Sequence, residues 1–315
     1  MPAVMDGATL EGLLRMLLQP ASEQVAQAEA TLRKAFSKPM FICDLFEQIQ
    51  LSPTAEVRQL AAVLTRRRVI AHWPKLDEQT QQQLQATLLD RLGNEPEHAV
   101  RRSLSSVASV IGRHALPKGK WPELFAFLSQ CAQSAAEVHR ELAMVLLASL
   151  LESDAVVEAC LRPHFAQVRA VIQQALSDTG SASLAVPRAA LKAVSAWAQA
   201  ALDDEDMLQL GPLIPPVLQA GVAAATAGEE DMLVLALGIF TDLLEAGSPV
   251  VDDQIPAVLN FALEASTAAS LETESRTCAL NLVAVMLATR RKLLCKQKLV
   301  GHVAAALFKA CTMTA

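Results

Sequence analysis

Five arginines are the residues of this chain whose type and spacing carry chemistry. Each follows an acidic or polar lead-in and a Val or a neighbour, and each opens a small, apolar helix. They appear as EVRQLAAVL at Arg58, VRRSLSSV at Arg101, VHRELAMVLL at Arg140, VPRAALKAV at Arg188 and SRTCALNLV at Arg276. They stand 43, 39, 48 and 88 residues apart, and the midpoint of the last gap falls in EEDMLVLALGIF, where Met232 takes the arginine's place. A guanidinium repeated once per unit pairs with carboxylates, either in the next unit or on a partner; it does not make a catalytic centre.

Catalytic chemistry would need other patterns. There is no P-loop, no G-x-G-x-x-G, no G-x-S-x-G and no H-E-x-x-H. The histidines at 72, 98, 114, 139, 164 and 302 are spread one per unit or fewer, and His139 beside Glu141 reads as solvated helix surface. The cysteines at 43, 131, 160, 278, 295 and 311 form no C-x-x-C pair and no zinc spacing. Cys43 stands next to Asp44, with no nearby basic residue to lower its pKa. A non-enzyme with no cofactor and no metal is expected.

The elements that position the arginines follow from composition. Apolar residues make up 52% of the 315, aromatics only 4%, which suits Ala/Leu/Val helix packing. Units of about 40 to 48 residues are the period of HEAT or armadillo repeats, so an all-α, right-handed α-solenoid of HEAT repeats is expected. Seven helix pairs are predicted: 8–18 with 22–36, 39–50 with 53–73, 77–92 with 96–115, 121–133 with 136–152, 155–177 with 185–202, 205–224 with 229–246, and 250–265 with 271–290. Pro53, Pro96, Pro122, Pro187 and Pro249 fall where a first helical turn tolerates proline. Core stripes run Val57, Leu60, Ala61, Leu64 and Met232, Leu235, Ala236, Ile239. The segment CKQKLVGHVAAALFKAC reads as an unpaired first helix of an eighth unit, and hence the chain as the N-terminal part of a longer array. The start lacks the order of a signal peptide, and unbroken apolar runs such as MLVLALGIF are half of the ~20 residues a bilayer requires. A soluble protein of the cytosol or nucleus, without membrane insertion, is expected.

Charge is distributed in blocks. Residues 1–120 carry a net +3, residues 121–275 a net −16, and residues 276–315 seven basic side chains with no acid. The acids cluster at Asp203, Asp204, Glu205 and Asp206, at Glu229, Glu230 and Asp231, then at Asp242, Asp252, Asp253, Glu272 and Glu274. Such clusters, one layer apart, would attract a basic ligand. The alternative is that they complement helix dipoles and cap free N–H groups. An acidic middle argues against direct nucleic-acid binding. Trp197, shortly before Asp203, is read either as core or as a ring holding a Lys or Arg stem. Trp73 and Trp121, at helix ends, read as packing between repeats.

The segment VRQLAAVLTRRRVIAHWPKL at 57–76 resembles the N-terminal signature of the importin-β (karyopherin) family, in which a second-repeat helix reads V-R-Q-x-A-A-V-x-[LT]-[KR]-[KR]-x-[IL] and ends in Trp. QAEATLRKAF at 27–36 resembles that family's first-repeat helix, and LEGLLRMLLQP and WPELFAFLSQCAQS resemble one branch of it. The resemblance implies a nuclear import receptor that shuttles between cytoplasm and nucleus and releases its cargo when Ran-GTP occupies the N-terminal repeats. It implies Ran contacts at Glu29, Arg33, Arg58, Arg66, Arg67, Arg101 and Arg102, with 1–120 as the Ran-binding region and 121–315 as a continuing, acidic cargo region. Arg58, Ala62 and Arg66 share one helix face by their spacing, with Ala62 leaving room for a partner. For Arg58 and Arg101 the alternative is a ladder role, bonding acids of the next repeat. By the same resemblance, cargo would be basic proteins such as core histones and ribosomal proteins. It would bind at Trp197, Asp203, Asp204, Glu205, Asp206, Glu229, Glu230, Asp231, Glu272 and Glu274, and Phe-Gly nucleoporins would bind between first helices. A constitutive HEAT-repeat scaffold is the competing account.

Overall fold

The computed structural model describes residues 4–178, 183–200 and 203–305, and among them there is no strand. Contacts divide the chain into two compact units, Met1–Cys131 and Ala132–Ala315.

The first unit holds α1 (Gly7–Leu17), α2 (Glu23–Ala35), α3 (Phe41–Leu51), α4 (Ala55–His72), α5 (Glu78–Asn94), α6 (His98–Ala115) and α7 (Glu123–Ala132). First helices touch first helices (α1 with α3, α3 with α5), and α4 touches α6, while α3 pairs with α4 and α5 with α6. That pattern defines a stack of helical hairpins in which each layer buries its apolar face against its neighbours. Helix starts are set by side-chain caps: Ser22 accepts from Val25 N–H at 3.3 Å and Asp77 from Thr80 N–H at 2.8 Å. Asp44 on α3 accepts the N–H groups of Val4 and Met5, each at 3.0 Å, and ties the chain start to the stack. Burial pushes its carboxyl up in spite of those two donors.

The second unit holds α8 (Glu137–Leu151), α9 (Asp154–Val156), α10 (Phe165–Leu176), α11 (Ala185–Ala200), α12 (Asp204–Leu208), α13 (Ile214–Ala227), α14 (Glu230–Glu245), α15 (Ile255–Thr267), α16 (Thr273–Thr289) and α17 (Arg291–Lys296). Here α8, α11, α14 and α16 stack in sequence, as do α10, α13 and α15. The fit is close where α13 meets α15: a Cβ on Gly221 would lie 2.8 Å from Phe261 Cζ and 3.1 Å from Ala236 Cβ.

Three first helices predicted as continuous are broken. The predicted 155–177 splits into α9, a π turn at Val157–Leu161, a 3-10 turn at Arg162–His164, and α10. The predicted 205–224 splits at Gly211–Leu213, and the predicted 250–265 begins as 3-10 helix at Pro249–Gln254 before α15. Pro163, Pro212 and Pro256 sit at these breaks, each removing an N–H and crowding the preceding turn. The predicted final helix is also interrupted: α17 ends at Lys296, Lys298 takes φ 59, and helix resumes at 300. Residues 306–311 of that prediction lie outside the described residues.

The core stripes hold in part, and on α4 the buried face is wider than the stripe. On α4, Val57 and Ala61 are buried as expected, but so are Arg58, Ala62, Thr65 and Val69, while Leu60 and Leu64 are half-buried. A second helix inside a stack is flanked by other helices on several sides, so its buried face is wider than one stripe. On α14, Met232, Ala236 and Ile239 are buried and Leu235 half-buried. The stretch Asp204–Ala227 is by length and composition apolar enough to cross a bilayer. Its Leu213, Ile214, Val217, Ala220 and Ala224 are buried inside the second unit, which accounts for that composition.

Candidate partner-binding surfaces

The recurring arginine is a ladder. Arg58, in the first turn of α4, donates from Nη1 to the carbonyls of Ser52 and Pro53 at 3.1 and 3.2 Å, closing its own hairpin turn. Its Nε and Nη2 grip both oxygens of Glu95, at 3.0 and 2.7 Å, at the turn that opens α6. Arg140 repeats the geometry on the carbonyls of Ser134 and Ala135 and on Asp178, at 3.0, 2.7 and 2.8 Å. Arg188 pairs with Glu229. At the next layer, where Met232 replaces arginine, Glu230 accepts instead from Glu272 N–H at 2.8 Å and from Ser275 Oγ. The bidentate fork and the two carbonyls use most of the guanidinium's donors, which is why the position is arginine and not lysine.

This geometry corrects several site expectations. Arg58 is 8% exposed and Ala62 fully buried, so the face through Arg58, Ala62 and Arg66 offers a partner nothing at its first two positions. Arg101 is half-buried and donates to the carbonyl of Glu95, which makes it a turn clamp as well. Glu95 is sealed from water and also bonded by Arg91 at 2.7 Å. Burial alone would raise the Glu95 carboxyl; the hydrogen bonds of Arg58, Glu97 N–H and Arg91 outweigh it and hold the group below the usual glutamate range. The other candidates of the first unit are exposed: Glu29 and Arg33 one turn apart on α2, Arg66 and Arg67 on α4, and Arg102 on α6. Arg68, a neighbour the sequence reading passed over, lies over the Phe36 ring at 4.5 Å.

In the second unit the expectation for Trp197 fails. It is fully buried on α11, its ring 4.6 Å from that of Phe165, so no cargo side chain reaches it.

The acids divide into two groups. Asp203 caps α12 by accepting from Asp206 N–H at 2.9 Å, and Arg162 pairs with it. That N–H, then Arg162, hold the Asp203 carboxyl below its usual range. Asp206 is 3% exposed and accepts from Arg162 Nε at 2.9 Å, so it is not available to cargo. Glu229 and Glu230 serve the ladder. Asp204, Glu205, Asp231, Glu272 and Glu274 remain as exposed carboxylates. Much of the clustering seen in the sequence thus comes from the ladder and caps, whose acids recur because the layers recur.

Among the described residues no three His, Cys, Asp or Glu side chains are grouped to hold a metal. Burial pushes the Cys131 thiol up to about 11 and raises Cys43 and Cys160, the opposite of an activated nucleophile.

A ladder of arginines and acids clamping stacked hairpins, with charged side chains left on the second helices, defines a helical-repeat protein of the HEAT type. Comparison with known proteins places it further. The importin-beta N-terminal domain matches residues 28–94, and the family described as IPO5-like, TPR repeats matches residues 96–261, more than half of the chain. The chain belongs to the importin-β family. Human importin-4 is 28% identical over 304 residues, covering 96% of this chain and 27% of importin-4; the branch resemblance noted in the sequence is to this protein. Kap121p shares the fold: its structure bound to Pho4p superposes with a TM-score of 0.77, and that bound to RanGTP with 0.75. In both, identity is 22%, covering 91% of this chain and 27% of Kap121p.

Proposed function

We propose that this chain works as part of a nuclear import receptor, presenting a Ran-GTP surface on its first unit and an acidic surface for basic cargo on its second. The observation that carries the reading is the exposure of Glu29, Arg33, Arg66, Arg67 and Arg102 on successive second helices within and just beyond the importin-beta N-terminal match. Kap121p, of the same fold, has been crystallised with RanGTP and with the proteins Pho4p and Nup53p. The cargo surface consists of Asp204, Glu205, Asp231, Glu272 and Glu274, and its partners are basic segments such as those of core histones and ribosomal proteins. Phe-Gly nucleoporins complete the set of partners that a receptor shuttling between cytoplasm and nucleus requires.

Calorimetric titration with Ran loaded with GTP or GDP, at physiological salt, tests this. Preference for the GTP form supports the reading, and Arg66→Glu with Arg67→Glu lowers that affinity while helical content stays unchanged. Binding to neither form favours a constitutive scaffold.

A further inference from the structure

Among the described residues of the first unit, the exposed large apolar side chains are Met16, Leu18, Leu51 and Ile70. The first three lie at the ends of the first helices α1 and α3; Ile70 alone stands on a second helix, α4, and is 57% exposed. Its neighbour Val69 is fully buried and supplies the core contact of that turn. A single exposed apolar side chain is ordinary. A β-branched one is also a modest cost at an exposed helix position, where lysine, glutamate or glutamine propagates the helix better. Ile70 stands out by what surrounds it.

Arg67 and Arg66 stand three and four residues before Ile70, the spacings that place side chains next to one another on a helix surface. Both are exposed, and neither has a carboxylate partner among the described residues. One turn after Ile70, Pro74 is exposed as well, with Lys75 beside it. The helix itself is the middle one of three. It meets α2 where His72 Nε2 donates to the Phe36 carbonyl at 2.9 Å and Arg68 lies over the Phe36 ring, and it packs on α6. Arg33 on α2 and Arg102 on α6 are exposed cations on either side. An apolar centre with a rim of unpaired guanidinium groups is the anatomy of a protein interface, in which apolar contact is buried and the polar edge stays wet.

We propose that Ile70 is the apolar centre of the surface that takes Ran-GTP, receiving an apolar side chain of the partner while Arg66 and Arg67 pair with carboxylates around it. This rests on the receptor reading and names the chemistry the partner presents at this point: an apolar group ringed by acids. The two parts of the contact respond differently to conditions. Burial of Ile70 is non-directional and carries no charge, so moderate salt leaves it in place, whereas the exposed arginine pairs weaken as salt screens them.

Calorimetric titration of the whole chain with Ran-GTP, at low and at high salt, tests this. Ile70→Ser should weaken binding about tenfold, by the same factor at both salt concentrations. Ile70→Met, which keeps an apolar side chain of similar size, should stay within about threefold of wild type. Arg66→Glu with Arg67→Glu should weaken binding more at low salt than at high. The melting temperature of Ile70→Ser should stay within about 2 °C of wild type, because the side chain lies on the surface. If wild type binds Ran-GTP and Ile70→Ser binds it within about twofold as well, the proposal is overturned and the receptor reading stands. If wild type binds neither nucleotide form, the receptor reading falls and the role of Ile70 with it. Equal losses for Ile70→Ser and Ile70→Met overturn the proposal, as does a loss for Ile70→Ser that vanishes at high salt. A melting temperature lowered by more than about 5 °C would show that Ile70 packs within the fold, and overturns it as well.

Discussion

The pair Arg58–Glu95 in the first unit and the pair Arg188–Glu229 in the second come from one sequence pattern, yet water reaches them very differently. Their side chains are 10% and 0% exposed in the first case, 38% and 45% in the second. The first pair is fixed in place by Arg91 and two backbone carbonyls, whereas among the described residues Arg188 alone bonds the Glu229 carboxylate. A repeated motif thus serves two purposes. Where it is sealed it fastens hairpins together; where it is open both side chains stay in reach of water.

The comparison breaks most visibly at the sealed end. Arg58→Met strands the Glu95 carboxylate in the interior and should cost ~3–5 kcal/mol, read as a lowered midpoint in guanidinium denaturation of the whole chain. A loss below 1 kcal/mol would mean that Glu95 is rescued by Arg91 alone. Trp197→Ala should cost a similar ~3–5 kcal/mol by opening a cavity beside Phe165. It should leave affinity for a histone-tail peptide unchanged under conditions where the protein stays folded, because the ring is out of reach of any ligand.

Acid provides a second way to separate the two pairs. The folded-state pKa of Glu95 is depressed, so its contribution to stability is complete above the ordinary glutamate value of about 4.3 and is lost as pH falls through the lower folded value. Glu95→Gln should therefore lower stability at neutral pH and flatten its decline in that acidic window. A denaturation series in which wild type and variant fall in parallel below pH 4.5 would remove Glu95 as the source. Smaller still is the effect of Gly221→Ala, at ~1–3 kcal/mol: the added methyl would meet Phe261 Cζ at 2.8 Å and Ala236 Cβ at 3.1 Å, so the ring must shift to admit it.

The repeat period, the helix pairs and the ladder positions Arg58, Arg140 and Arg188 were legible because the same physical need recurs from layer to layer, although Arg101 clamps its own turn and Arg276 donates to Thr273 instead. Arg58 and Arg140 announce themselves by spacing alone, since each must reach its own turn and the next. What spacing could not convey is burial. Asp203 and Asp206 stand beside Asp204 and Glu205 in one acidic run, but the first two face Arg162 and the other two face water. That division depends on the bend at Pro163, which carries Arg162 toward α12, and local sequence does not reveal where a helix broken by proline will point. Trp197 failed for a related reason: in a helix of small residues an indole marks the largest gap to fill, and its neighbour Phe165 is 32 residues away in sequence. Arg66 and Arg67 were placed correctly on the surface, whereas Ala62 was misjudged because a stacked helix is buried on more than one stripe.

The open end of the comparison gives the smallest change in stability and the most informative change in binding. Arg188→Met removes one half-exposed partner, and exposed pairs contribute ~0–1 kcal/mol, so the unfolding midpoint should hardly move. Glu229 is then freed beside Asp231, and the acidic surface gains a carboxylate no longer matched by its own arginine. Affinity for a basic histone-tail peptide should rise, and its decline with added salt should steepen, since one more ion pair forms on binding. Changing Asp204, Glu205, Asp231, Glu272 and Glu274 to lysine should act in the opposite direction, while the same change at Asp206 should instead unfold the turn around Arg162. If Arg188→Met leaves peptide affinity and salt dependence unchanged, Glu229 is as inaccessible to cargo as Glu95, and the ladder is structural along the whole length over which it can be followed.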